Sequence, residues 1–220
     1  MSGTFSSGRK SGKSGIIKYT IFVVSMSLGI LIFLGTPSYV FNVIAKEGIK
    51  LENAFGAKTL NFIDKKTREQ YEAAFIDSGI YATAWHWVIP TKQEQKPTVA
   101  DKVLTGILLW GQDRINLIFI LLFLLIHRLE LILMLIPSAS FILGASALTG
   151  VYIRKIKQGN FAFASPTVHR YSIGVLTIFF SMLPFILLIP VVISPFIFAF
   201  SFIVISFLIQ ITIANIAKRV

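Results

Sequence analysis

All ten acidic residues of this 220-residue chain lie between Glu47 and Glu130. Residues 1–46 and 131–220 carry basic residues alone, spread between long apolar runs. About 20 consecutive apolar residues cross ~30 Å of hydrocarbon at 1.5 Å per residue. Surplus Lys and Arg mark the cytoplasmic flanks of such runs. The segregation therefore sorts the chain into cytoplasmic, membrane and outer parts. Composition agrees: the chain is 55% hydrophobic and 14% charged, against about 45–50% and 25% in a soluble domain. Its length allows a few spans and one small domain, not a large transporter.

The net charge of +11 admits a nucleic-acid reading. Cytoplasmic flanks of membrane helices account for the same surplus, so no direct nucleic-acid contact is expected. The absence of cysteine excludes disulfides, thiolate metal sites and cysteine catalysis.

Residues 1–16 are Ser- and Gly-rich with Arg9, Lys10 and Lys13, and read as a disordered basic cytoplasmic tail. Gly8 to Ser14 looks like a phosphate-binding loop, but three residues separate its glycines instead of four, and no strand precedes it. Residues 17–41 are the first predicted span. A cleaved signal peptide would have a shorter core and an A-x-A-like exit, so this run reads as an uncleaved anchor with the N-terminus inside.

Residues 42–114 mix ten Lys/Arg with nine Asp/Glu, as a soluble surface does. Leu60, Phe62, Ile63, Tyr71, Ala74, Phe75 and Ile80 recur at roughly helical spacing, and Asp64 is placed to cap a helix running toward Phe75. The expectation is a small helical periplasmic domain. Trp85 and Trp87 would rest it on the bilayer, since tryptophans favour the interface; the alternative is an aromatic partner-docking surface. His86 beside them has no metal partner in sequence.

Residues 103–153 are too long for one span, and 115–153 read as a long helix that includes it. The preferred reading is one long helix that crosses the membrane from about Arg128 to Ile153. His127, Arg128 and Glu130 would then sit near the outer interface, where long side chains snorkel. The other reading spans 115–136 and buries all three. Under the first, residues 117–126 need cover from the outer domain or from another subunit, which points to an assembly. His127 and Glu130 are three apart on a helix and can touch, a pair read as structural. Ser140 with Gly144, and Ser146 with Gly150, let helices approach closely in lipid. Pro137 removes one helical hydrogen bond and is a candidate kink.

Residues 154–170 form a basic elbow on the cytoplasmic side, and residues 171–217 a closing apolar hairpin turned at Pro190 to Pro195. The predicted fold is an all-α membrane protein with four transmembrane helices, both ends inside, and one periplasmic domain between spans 1 and 2. The last two spans hold no charged residue, which argues against ion coupling there. In the elbow, Ser165 can cap the next helix and Pro166 suits its first turn. Arg154, Lys155, Lys157, Phe161, Phe163, His169 and Arg170 could hold a partner or lipid headgroups. Histidines in three separate regions, with no HExxH, GxSxG or CxxC, give no catalytic, metal or cofactor set.

The layout over roughly residues 20–217 resembles an uncharacterised family of four-span membrane proteins of integrating conjugative elements and conjugative plasmids. The residues that carry the resemblance are Arg128, Glu130, Arg154, Lys155, Phe161, Phe163, Ser165, Pro166 and His169. It implies a non-enzymatic inner-membrane part of a conjugative DNA-transfer (type IV secretion) apparatus. Other secretion subunits, the coupling ATPase and membrane lipids are the implied partners, in a hetero-oligomer. Two rival expectations are a small transporter or permease subunit, for which only the 127–130 cluster offers midplane polar groups, and a membrane factor that excludes competing plasmids.

Overall fold

A computed structural model describes residues 11–88, 101–160 and 164–216, which are helical with no strand. Helix α1, Ser11–Leu34, is the first apolar run. It starts inside the stretch expected as a tail, and it stops short of residue 41. Pro37 explains the stop: the residue before a proline is pushed out of the helical region, and Thr36 is extended at φ −115°, ψ 141°. Gly35 permits the tight exit, because a Cβ there would lie 2.4 Å from Leu31 O. Pro37 then opens α2, Pro37–Phe55, bent 114° from α1.

Val40, Val43, Glu47 and Leu51 are the buried stripe of α2, spaced as one helical face. Gly56, at φ +84°, separates α2 from α3, Ala57–Tyr71. That left-handed residue, which glycine adopts without steric cost, starts the helix seven residues before Asp64. Asp64 is therefore mid-helix and caps nothing, contrary to expectation. A π-helical turn, Glu72–Ile76, follows, then α4, Ile80–Val88. Helix α5, Asp101–Gly159, has 59 residues and runs about 88 Å at 1.5 Å per residue. It continues through Pro137. Helices α6, Pro166–Leu188, and α7, Pro195–Ala214, close the chain.

Among the described residues, three helices are long and apolar enough to cross a membrane: α5 over Gly106–Gly159, α6 and α7. The bent pair α1–α2 counts as a fourth only when the two are taken together. Phe141 and Leu148 on α5, Phe180 on α6, and Phe200 and Phe207 on α7 are all exposed. Such apolar faces suit lipid and not water.

Two apolar cores join these helices. In one, Leu51 of α2 and Ile63 of α3 meet Leu131 and Leu135 of α5, Leu187 of α6, and Ile193 and Phe198 at the start of α7. In the other, Val40 and Val43 cover Leu117, Leu121 and Leu124. Each fully buried Leu or Ile contributes about 1.5–3 kcal/mol where its alternative is water. The 117–126 segment, which needed cover from a domain or another subunit, is thus covered by this chain's own α2. An aromatic ladder covers its other side: Phe123 against Tyr71, Tyr71 against Phe75, Phe75 against Phe119, and Phe119 against Tyr81, with ring centroids 4.7–5.9 Å apart.

Candidate functional site

A buried ionic centre ties the two cores together. Arg128 is fully buried and Glu47 is 6% exposed. The guanidinium is bidentate on the carboxylate: Nη2 donates to Oε1 at 2.6 Å and Nε to Oε2 at 3.2 Å. Two charges buried in this way are tolerated only when their remaining donors and acceptors are also met, and here they are. Nη1 donates to the carbonyls of Ile186, Leu187 and Ile189, and Nη2 to that of Val191, all at 2.7–3.0 Å. The backbone N–H of Ile193 donates to Glu47 Oε1 at 2.8 Å.

The chemistry follows from the helix end. The last four carbonyls of α6 have no intrahelical donor, and the C-terminus carries partial negative charge. Phe185 O is met by Ile189 N–H. Proline at 190 supplies no N–H, so Arg128 supplies the donors. The expectation that the Arg128 side chain snorkels toward water is therefore corrected. That side chain is enclosed by α2, α5 and the α6–α7 turn, because that turn offers a better set of acceptors than solvent at an apolar boundary.

Arg114 repeats the device on α1. It stands fourteen residues, about four turns, before Arg128, so both lie on one face of α5. Its Nη1 donates to the carbonyls of Ile32, Phe33 and Gly35 at 2.7–3.0 Å. Trp110 supports it, 5.5 Å beneath the guanidinium, and packs edge-on to Phe33. Sequence reasoning missed both Glu47 and Arg114. The signal for Glu47 was available, since it is the one acid on the apolar stripe of α2. That for Arg114 was its fourteen-residue offset from Arg128.

His127 and Glu130 do not pair with each other; both face α3, and only Glu130 finds a hydrogen-bond partner there. Gln70 Nε2 donates to Glu130 Oε1. His127 Nδ1 lies 3.6 Å from Asp64 Oδ1, beyond hydrogen-bond reach, and it is buried without a partner, as is Thr67 Oγ1. On the outer face of α3, Lys66 Nζ donates to Glu69 Oε2 at 2.8 Å. That bond holds the Glu69 carboxyl below its ordinary range and Lys66 above its own. Both are solvent-exposed, and such pairs contribute little. Trp85 is half-buried beside Tyr81, ring centroids 6.0 Å apart; the Trp87 side chain lies outside the described residues.

The small-residue positions divide. Gly150 is pressed against α7, where a Cβ would meet Gln210 O at 2.9 Å. At Gly144 a Cβ would meet nothing within 4 Å, and Ser140, one turn earlier, is exposed. The first is a helix-packing contact inside the chain; the second is open.

At the far end of α5 the basic residues gather. Lys157 Nζ donates to Asn215 Oδ1 at 2.9 Å, which ties α5 to the end of α7. His169 Nδ1 lies 2.9 Å from Thr212 O; a carbonyl only accepts, so that nitrogen carries the proton. Ser165 caps α6, its Oγ accepting from Val168 N–H at 3.4 Å, with Pro166 at the first helical position. Lys155 and Arg170 are exposed, and Arg154 is half-buried with its Nε unpartnered. Phe161 and Phe163 lie outside the described residues. No ion pair joins these cations to an acid among the described residues, nor is there a metal-capable cluster of three His, Asp or Glu there.

The long helix thus carries one buried, charge-compensated centre and one bare basic end, an arrangement for holding and presenting helices. No curated protein and no solved structure matches the chain. The family of IncC plasmid conjugative DNA transfer proteins called DtrJ-like does match, over residues 41–217, and the chain belongs to it.

Proposed function

We propose that this DtrJ-like chain is a non-enzymatic inner-membrane subunit of a type IV secretion apparatus, and that it positions the coupling ATPase through its basic elbow, residues 154–170. The observation that carries this reading is the bare basic end of the bundle. Lys155 and Arg170 are exposed, and no acid follows Glu130 in the chain. Lys157–Asn215 and His169–Thr212 fasten α5, α6 and α7 at that end, so the cations stand on a braced platform. A rigid cationic platform favours an acidic partner surface, through steering and register.

The topology that accompanies this reading has both ends in the cytoplasm and four spans, with α1 as the first. The α2–α4 layer then lies in the periplasm and faces channel components. Arg154, Lys155 and Lys157 close α5 as inside flanks do.

Affinity purification of the tagged chain from conjugating cells tests the proposal. The expected result is co-recovery of the coupling ATPase, reduced by K155E together with R170E while the chain's own level in the membrane is unchanged. Recovery as a lone monomer, with no secretion subunit, overturns it.

A further inference from the structure

The N-terminal half of α6 carries a groove that the ionic centre does not use and that shares only Arg170 with the basic platform. Its volume is about 630 Å³, and Thr167, Arg170, Tyr171, Gly174, Val175 and Ile178 line it. Steps of three and four residues put these side chains on one face of the helix. The groove changes character along its length. Its outer end presents a hydroxyl and a guanidinium; its inner end is apolar. From Thr167 to Ile178 the helix rises about 17 Å, close to the ~15 Å of one hydrocarbon leaflet. Gly174 keeps the middle open, since a Cβ there would meet nothing within 4 Å. Tyr171, 72% exposed, stands where aromatic side chains favour the interface.

We propose that this groove holds one anionic phospholipid, with its phosphodiester at Thr167 and Arg170 and an acyl chain along Gly174, Val175 and Ile178. Charge selects the headgroup. Arg170 is exposed and has no acidic partner among the described residues. The first turn of α6 adds the positive end of the helix dipole. A planar guanidinium meets a phosphate with two parallel hydrogen bonds. Lys155 and Lys157 raise the local concentration of anionic lipid. Depth selects a lipid over a soluble polypeptide, because the apolar half of the groove runs toward the middle of a helix able to cross a membrane.

Native mass spectrometry of the full chain, released from nanodiscs of mixed phosphatidylglycerol and phosphatidylcholine, tests this. One phosphatidylglycerol per chain is expected to survive activation that strips phosphatidylcholine. R170Q is expected to lower that retention about fivefold, the change one basic residue confers near an anionic surface. G174L fills the groove without altering charge and is expected to lower it as well; circular dichroism reports whether this variant folds, and R170Q decides alone if it does not. K58Q on α3 is expected to change nothing. Equal retention of both lipids, or wild-type retention in R170Q, overturns the proposal. So does displacement of the lipid by millimolar inorganic phosphate, or an Arg170-dependent adduct of polypeptide mass in its place.

Discussion

Arg128 shows how one residue can decide whether an apolar chain has a defined tertiary structure. In lipid there is no hydrophobic drive to press helices together, so packing and hydrogen bonds must do it. Arg128 meets one carboxylate and four carbonyls from two other helices and a turn. R128A leaves the Glu47 carboxylate buried with only the Ile193 N–H, and two of those carbonyls, of Ile189 and Val191, lie beyond the end of α6. The expected cost is about 3–5 kcal/mol, read as early thermal aggregation by fluorescence-detected size exclusion. Neutralising both partners in E47Q with R128M should recover part of it, since no buried charge is then left unpaired. An R128A protein that melts with the wild type would show that the centre contributes nothing to stability. The identity of Arg128 as a special residue was legible in the sequence, because an arginine between two long apolar runs needs an explanation. Its partners were not, because 81 and about 60 residues separate it from them, and periodicity carries no information at that range.

At the scale of elements, legibility followed local chemistry. Proline, glycine and serine placed the helix ends correctly at Ser165–Pro166 and at the 190–195 turn, because capping is decided by neighbours in sequence. The same rule also shows what was misjudged. Apolar content alone ran the first span to residue 41, yet Pro37 ends α1 at Leu34. Asp64 looked like a cap because it precedes an apolar repeat, but Gly56 starts that helix earlier. The α5–α7 contact is the clearest element-scale prediction. Gly150 brings the two backbones together, so G150L must push α7 outward or force strained rotamers, at a typical cost of about 1–3 kcal/mol. G144L, on the open face, should leave the melting temperature unchanged. Equal destabilisation by both variants would contradict this division of the two glycines.

For the whole molecule, the acid-bearing stretch was legible as a separate class of surface, but its integration was not. Sequence left open whether this stretch or another subunit covers residues 117–126; α2 and α3 complete the cores that α5, α6 and α7 begin. The reason is that amphipathic spacing shows which face a helix buries and not what it buries against. Single-cysteine accessibility in intact spheroplasts tests the resulting arrangement, since the chain has no native cysteine. With the orientation proposed above, S78C should label from outside and S165C only after permeabilisation, while L117C, fully buried, should label only on denaturation. Labelling of S78C and S165C from the same side would reject the orientation, and ready labelling of L117C would reject the packing. One further consequence concerns synthesis. Arg128 leaves the ribosome some sixty residues before the carbonyls of 186–191 that complete its shell. Until the last hairpin arrives, Glu47 is its only counterion, already made and waiting upstream. Synthesis therefore supplies the two members of the charge pair first and the closing turn last. A translation product cut short before residue 191 would keep its arginine exposed to surveillance by membrane quality control.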